Sequence, residues 1–517
     1  MTLSSCGRPS PGSRAPGFAI LLLVFWSVLT ATTTLPASAA TLHVDDSNAG
    51  PVDGSAAHPY RTIQAAVNAA SSGDTIKVAD GSYDAFQVVN EAPPYKEVLV
   101  YGGYSPDFQS RGSQYTSIVS GNATTPAVSL WDCGHTTIDG FVITGGAHGV
   151  QVDGTDWYNQ FPDRVAPVIS NNIIENNGNE SVAGGGLALD GCNAQVLSNV
   201  IRDNRGSYGG GLQSGCWTLV FDDNQVIDNR GYADHGGGLH MNGTITFRRN
   251  RVEGNVTGLG FADPYGWGGG ALVYGSSSVA HFDHNVWTRN HAPSIGSGLF
   301  IDDGATATVD HDLFYDQQCA QSGGQAIYVD GTGNGEGSTL TVTNVTIAEN
   351  NCNNYFGGGA IYVERDDSSV TVKDSIIWHN GGDDFLNDAG TTITVSYTDS
   401  EESVAGTGNI SVDPRFADPA AGDFHVRSTH GRYDPASGTW VLDASDSLTI
   451  DAGDPASAYD LEPSPNGSRV NMGHTGDTPY ASLSAGGVDL RVGDADAAET
   501  TGGTTNLTFE VTATAAP

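Results

Sequence analysis

SNVIRDNRGSYGGGL (198–212), DNQVIDNRGYADHGGGL (223–239) and RNRVEGN (249–255) followed by GWGGGA (266–271) repeat one pattern. Each copy has an Asn, an apolar residue two places on and a second Asn five places on. A glycine triplet follows. The first Asn falls at Asn172, Asn199, Asn224, Asn250 and Asn285, and looser copies start at Asp312, Val345 and Ser375. Successive copies are 25 to 35 residues apart, a period that marks a solenoid.

Counting from the first Asn turns the period into a register. Three places before it stand Ile169, Val196, Phe221, Phe247, Phe282, Val309, Val342 and Val372. Five places before it stand Pro167, Ala194, Leu219, Ile245, Ala280, Ala307, Leu340 and Val370. Two places after it stand Ile174, Ile201, Val226, Val252, Trp287, Phe314, Ile347 and Ile377. The residues between the first two columns are mostly polar, as at Gln195, Thr246, His281, Thr308 and Thr371. Alternation of period two predicts strands with one buried face. Recurrence of the same columns predicts parallel stacking, each coil covering the next. The first Asn is expected to form an amide ladder at a corner. The glycine triplet is expected at a second corner, where positive φ or close coil approach excludes a Cβ.

Outside the repeats, residues 1–40 read as a secretory signal. Arg8 and Arg14 precede an apolar run from Gly17 to Thr30, and Ala37-Ser38-Ala39 offers a small-residue cleavage site. The run is short for a bilayer-spanning helix, and no later segment is apolar enough to span. The chain is therefore expected to be secreted or held at the cell surface, and monomeric. Its 59 acidic residues against 21 basic ones give a formal charge of −38. Such a surface repels nucleic acid and anionic membranes. It also repels an anionic polysaccharide unless cations bridge the two.

Cys192 and Cys216 lie at nearly the same offset after successive glycine triplets, and Cys319 and Cys352 at similar offsets before two copies of AIYV. Each pair falls on adjacent coils, within disulfide reach; columns of buried thiols are the alternative. Cys133 has no evident partner.

HPYRTIQAAVNAASSGDTIKVADGSY (58–83) contains an amphipathic stretch, Tyr60–Ser72, with Ile63, Ala66, Val67 and Ala70 at helical spacing. It suits a lid over the exposed end of a solenoid. With the repeats, this phrase resembles the opening of secreted right-handed parallel β-helix proteins of the pectin-lyase-like superfamily. The resemblance implies an all-β, right-handed parallel β-helix over residues 41–412. Handedness also follows from the rule for parallel crossovers. VDPRFADPAAGDFHV (412–426), IDAGDP (450–455) and SPNGSRVNMGHTG (464–476) resemble the closing segment of bacterial choice-of-anchor β-helix proteins, so residues 413–485 are expected to form a C-terminal cap of loops and short strands. Residues 486–517 resemble the first two strands of a Calx-β sandwich, and calcium at Asp494, Asp496 or Glu499 follows from that resemblance alone.

Two places before each ladder position, an outward column reads Ser170, Leu197, Asp222, Arg248, Asp283, Asp310, Thr343 and Lys373. By resemblance to polysaccharide lyases, Asp222, Asp223 and Asp283 are candidates to hold calcium, with Arg248 as the base that removes a proton beside a uronate carboxyl. Asp222, Arg248 and Asp283 are thus the candidate catalytic set. Alternating charge is equally what a soluble stack requires, since like charges at strand spacing repel. The polygalacturonase phrases are missing. The acidic pairs Asp222-Asp223 and Asp302-Asp303, the His235 and His240 flanking a glycine triplet, and the loop Asp330–Glu336 read as turns, corners and outward positions. Two insertions carry aromatic residues suited to sugar stacking: Trp157 and Tyr158 in one, Tyr265 and Trp267 in the other. The expected function is polysaccharide binding or adhesion. The alternative is a calcium-dependent polysaccharide lyase or another carbohydrate-active enzyme.

Overall fold

The computed structural model describes residues 39–89, 96–112, 116–154, 165–233, 235–260, 265–318, 326–332, 335–350, 359–485, 488–492 and 511–515. Residues 1–38 of the stretch read as a secretory signal, Trp157, Tyr158, Cys319, Cys352 and the acidic residues 494–499 lie outside them.

Three long parallel sheets, of 13, 11 and 12 strands, share one axis and enclose one core. The first sheet starts with Thr41–Val44 and ends with Thr392–Ser396; it carries the strands just before each ladder Asn. The second carries the strands that follow the glycine triplets, such as Leu239–Met241 and Leu299–Asp302. The third carries the short strands after each ladder Asn, such as Arg251–Glu253. The three apolar columns are buried along their whole length. Aromatic members stack between coils: Phe221 on Phe247 at 5.0 Å, and Trp287 on Phe314 at 5.4 Å.

The amide ladder is present. Asn172 donates from Nδ2 to Asn199 Oδ1 at 3.1 Å, Asn199 to Asn224 at 3.0 Å, Asn224 to Asn250 at 3.2 Å and Asn250 to Asn285 at 3.1 Å. Asp312 ends this run by accepting from Asn285 and from Trp287 Nε1. The second Asn of the repeat builds a second ladder that the pattern did not announce. It runs through Asn177, Asn204, Asn229, Asn255 and Asn290 to Gln317. Both ladders tie side chains to buried backbone carbonyls, which would otherwise go unsatisfied where strands turn between sheets.

Left-handed backbone is more widespread than the glycines imply. Ser198, Asp223, Arg249, His284 and His311, each one place before a ladder residue, all have φ near +55°. The glycine triplet behaves as expected: Gly209 has φ +55°, and a Cβ on Gly210 would lie 2.5 Å from the Arg230 carbonyl oxygen. Cys192 and Cys216 form a disulfide between adjacent coils, with Cα atoms 4.5 Å apart, and Cys133 is a buried free thiol.

The N-terminal helix is shorter than its pattern, Ile63–Ala69, because Thr62 caps it by accepting from the Ala65 amide and Ala70 is already extended. It buries Ile63, Ala66 and Val67 against the core. The segment from 413 consists of loops and two small antiparallel pairs, Phe416–Asp418 with Asp423–Val426 and Arg432–Asp434 with Thr439–Val441. It does more than close an end. Phe416, Phe424, Val426 and Met472 cover Leu313, Ala348 and Ile376 of the third sheet, so the segment folds back along the flank. Asp374 fastens it by accepting from the Asp454 amide and Ser457 Oγ. Val488–Val492 and Val511–Ala515 form an antiparallel pair. Among the described residues no helix is long and apolar enough to cross a membrane.

Candidate functional site

The predicted outward column of the first sheet is aligned as its register requires: Leu197, Asp222, Arg248, Asp283, Asp310, Thr343 and Lys373 are successive strand partners. Its first two charges are spent on each other. Arg248 Nε donates to Asp222 Oδ2 at 2.8 Å, and Arg249 donates to the same oxygen at 2.5 Å. The two guanidinium groups cover Asp222, which is only 6% exposed despite its outward position. Asp223 sits at the corner and accepts from Ser198 Oγ at 2.9 Å.

The calcium set of Asp222, Asp223 and Asp283 does not fit a single ion. Asp222 and Asp283 are two coils apart, about 9–10 Å at strand spacing, with the Arg248 strand between them. One ion with bonds of roughly 2.4 Å cannot bridge that gap. Asp283 instead faces His284, with Oδ1 2.5 Å from Nδ1. Burial pushes the Asp283 carboxyl up, but His284, His311 and Arg248 together hold it below its ordinary range.

A second outward column, on the second sheet, is chemically different. Gln213, His240, Leu272, Phe300, Tyr328 and Tyr362 are successive strand partners. Their inward neighbours Leu239, Ala271, Leu299 and Ile327 are core, so period-two alternation points this column away from the core; Leu272, Phe300 and Tyr328 are nonetheless buried, as a small satellite cluster against Trp267, Tyr274 and Tyr362. Phe300 meets Tyr328 edge-on at 5.2 Å, and Tyr328 meets Tyr362 at 5.1 Å. The insertion's aromatic residues join the same face. Tyr265 lies 5.2 Å from Trp267, Trp267 lies 4.7 Å from His235, and Trp267 approaches Phe300 at 6.3 Å.

Beside this stripe, Tyr208, His235, His240, Leu272, Tyr274, Asp302 and Asp303 line a pocket of about 260 Å³. Tyr274 and Asp302 are strand partners on adjacent coils, and His240 packs 4.6 Å from Tyr274. Burial, then the charge of Asp303, pushes the Asp302 carboxyl up to about 7. Burial, then His235, pushes His240 down to about 3, so its imidazole is neutral at ordinary pH. His240 Nδ1 is buried without a hydrogen-bond partner. On a chain of charge −38, this pocket presents aromatic faces and a neutral imidazole, with a half-protonated acid near neutrality.

Farther along, Arg365 clamps Asp330 by Nε at 2.9 Å and by a second nitrogen, while Tyr328 donates to Glu364. The loop Asp330–Glu336, read as a turn, thus starts from an ion pair. Asp302-Asp303 is a turn as expected, with Asp303 at φ +55°, but it also lines the pocket. His240 takes the outward strand position anticipated for it. Tyr208 and Tyr274 were not singled out; writing out the register of the second sheet, as for the first, exposes Tyr274, while Tyr208 is brought in by its loop.

Residues 118–314 match the protein family described as right handed beta helix region. No curated protein matches the chain. Among solved structures the chain is similar to the crystal structure of pectate lyase Pel9A, at 14% identity and a TM-score of 0.43, over 84% of this chain and 96% of that one. The matched stretch spans coils in the middle of the three sheets, and the same parallel pairing continues on both sides of it from Thr41 to Ser400: the fold is a right-handed parallel β-helix.

Proposed function

We propose that the chain is an extracellular β-helix protein that binds polysaccharide, and that the pocket beside the second sheet, lined by Tyr208, His240 and Tyr274, is its binding site. The observation that supports this is the pocket lined by Tyr208, His240 and Tyr274, with Tyr208 and the neighbouring Tyr265 exposed to solvent. Aromatic faces bury the apolar faces of sugar rings, and a few placed polar groups read hydroxyls. The neutral His240 and the raised Asp302 favour an uncharged polymer over a uronate, which the acidic surface repels. A hydrolytic reading is favoured by one feature: Asp302 can carry a proton near neutrality with a second carboxyl, Asp303, beside it, and acid–base cleavage of a glycosidic bond uses two carboxyl groups.

Titration of the purified chain with neutral and uronate polymers tests both readings. Tyr274→Ala is expected to weaken binding of a neutral polymer by roughly tenfold, near 1.4 kcal/mol. Binding confined to uronates with calcium, and indifferent to Tyr274→Ala, would overturn the proposal. Release of reducing ends, lost in Asp302→Asn, would establish hydrolysis.

A further inference from the structure

The dipeptide Asp-His stands at the same register position on two adjacent coils, Asp283-His284 and Asp310-His311. Asp283 and Asp310 are strand partners, and the next residue on each coil turns with left-handed backbone, His284 at φ +56° and His311 at φ +54°. The two imidazoles therefore stack, with centroids 4.6 Å apart and planes within 16°. Asp283 Oδ1, His284 Nδ1 and His311 Nδ1 converge, each within 4.8 Å of the others. Asp310 Oδ1 lies 3.1 Å from His311 Nδ1.

The proton positions make this cluster unusual. His311 Nε2 lies 2.8 Å from the Gly476 carbonyl oxygen. A carbonyl only accepts, so Nε2 carries the hydrogen. In the neutral ring, Nδ1 is then a bare lone pair. It faces the carboxylate oxygens of Asp310 and Asp283, at 3.1 and 3.9 Å. Both His311 Nδ1 and Asp310 Oδ1 are buried, and neither makes a hydrogen bond. The surrounding side chains Asp283, His284 and Asp310 are half exposed, but lone pairs turned on one another at these two buried atoms call for a cation between them. A proton on His311 would serve one nitrogen, yet His284 Nδ1, 2.5 Å from Asp283 Oδ1, brings a second nitrogen to the same point.

We infer that Asp283, His284 and His311, with Asp310 alongside, form a site for a divalent transition metal of the zinc type. Two imidazole nitrogens with one or two carboxylate oxygens are the donor set zinc takes; calcium takes oxygen alone. The Gly476 carbonyl is the outer partner that fixes the ligating nitrogen of His311. It belongs to the segment that folds back along the flank, where the half-buried His474 has its amide and Nδ1 both within 3.1 Å of Thr346 Oγ1. Metal binding here thus fastens the C-terminal segment to the solenoid and does not depend on the glycan-binding reading.

The test is calorimetric titration of the full chain, stripped with a chelator, with zinc chloride, paired with cobalt(II) absorption and with proteolysis of residues 413–485. One zinc per chain, a tetrahedral cobalt spectrum and slower cleavage of the segment when metal is bound are expected. His284→Ala removes a half-exposed side chain, so its fold should hold, and it should weaken binding at least 100-fold; Asp283→Asn should act in the same direction. His379→Ala, at an exposed His–Glu pair elsewhere, should bind as the parent does. Absence of saturable binding, or binding that His284→Ala leaves intact, would overturn the inference and leave a protonated His311 between the two carboxylates.

Discussion

The two outward columns of this solenoid occupy equivalent places and behave in opposite ways. On the first sheet the opposite charges Asp222 and Arg248 fall on adjacent coils and neutralise each other, with Arg249 also covering Asp222; only farther along do two like charges, Asp283 and Asp310, fall side by side. On the second sheet the column is aromatic and apolar, and the acids beside it are not neutralised within the pocket. Asp302 has Asp303 as its neighbour and is pushed up to about 7. The difference shows why a charged constellation in sequence is a weak sign of a site. Opposite charges one strand apart satisfy each other, whereas aromatic faces with a neutral histidine leave capacity for a ligand.

Both faces rest on the same corners, so the largest expected effect is common to them. Asn250 accepts from the Asn224 amide and side chain, and donates to the Phe221 carbonyl and to Asn285. Asn250→Ala strands several buried polar groups and should cost about 3 kcal/mol of stability, seen as a lower midpoint in denaturant unfolding. A loss confined to glycan binding, with stability unchanged, would break the idea that the ladder is scaffold.

A smaller effect should separate the faces by pH. The folded-state pKa of Asp302, about 7, lies above its ordinary value of 3.8. Between those values the folded chain holds a proton that the unfolded chain has released, so this group's contribution to stability falls as pH rises through the window. Asp302→Asn keeps the uncharged form at every pH. Thermal unfolding at pH 5 and pH 8 should therefore show the parent losing about 2 kcal/mol relative to the variant, allowing for solvent screening. Asp303, Asp330 and Arg365 are the charges that act on Asp302, and equal pH dependence in both proteins would place the carboxyl in water.

The smallest effect belongs to the first column. Arg248→Ala leaves Arg249 on Asp222, so it should cost only about 1 kcal/mol and leave glycan titrations unaltered. A loss of binding or activity in this variant would return the first column to the position of a site and break the comparison in its favour.

Much of this molecule was legible before its structure. The columns at Phe221, Phe247 and Phe282, the Asn199–Asn224–Asn250 ladder, the Cys192–Cys216 bridge and the lid at Ile63–Ala69 all follow from short-range alternation and one recurring offset. The second ladder at Asn204 and Asn229 was visible in the repeat, and only its role was missed. The site was harder. Trp267 and Tyr265, singled out for sugar stacking, lie against the aromatic residues of the second sheet, whereas Asp302 was read as a turn because its partner Tyr274 lies a coil away.

The sequence by itself determined which residues face in, which face out and how coils stack, because each of those depends on a two-residue alternation repeated at fixed spacing. Only the tertiary structure decided what the outward residues do. Burial of Asp302, the neutral state of His240 and the covering of Asp222 depend on neighbours from other coils. The convergence of His284 and His311 beneath Gly476 depends on a segment 165 residues away in the chain. Solvation and charge are set by everything that surrounds a group, and a period fixes only the group's place in line.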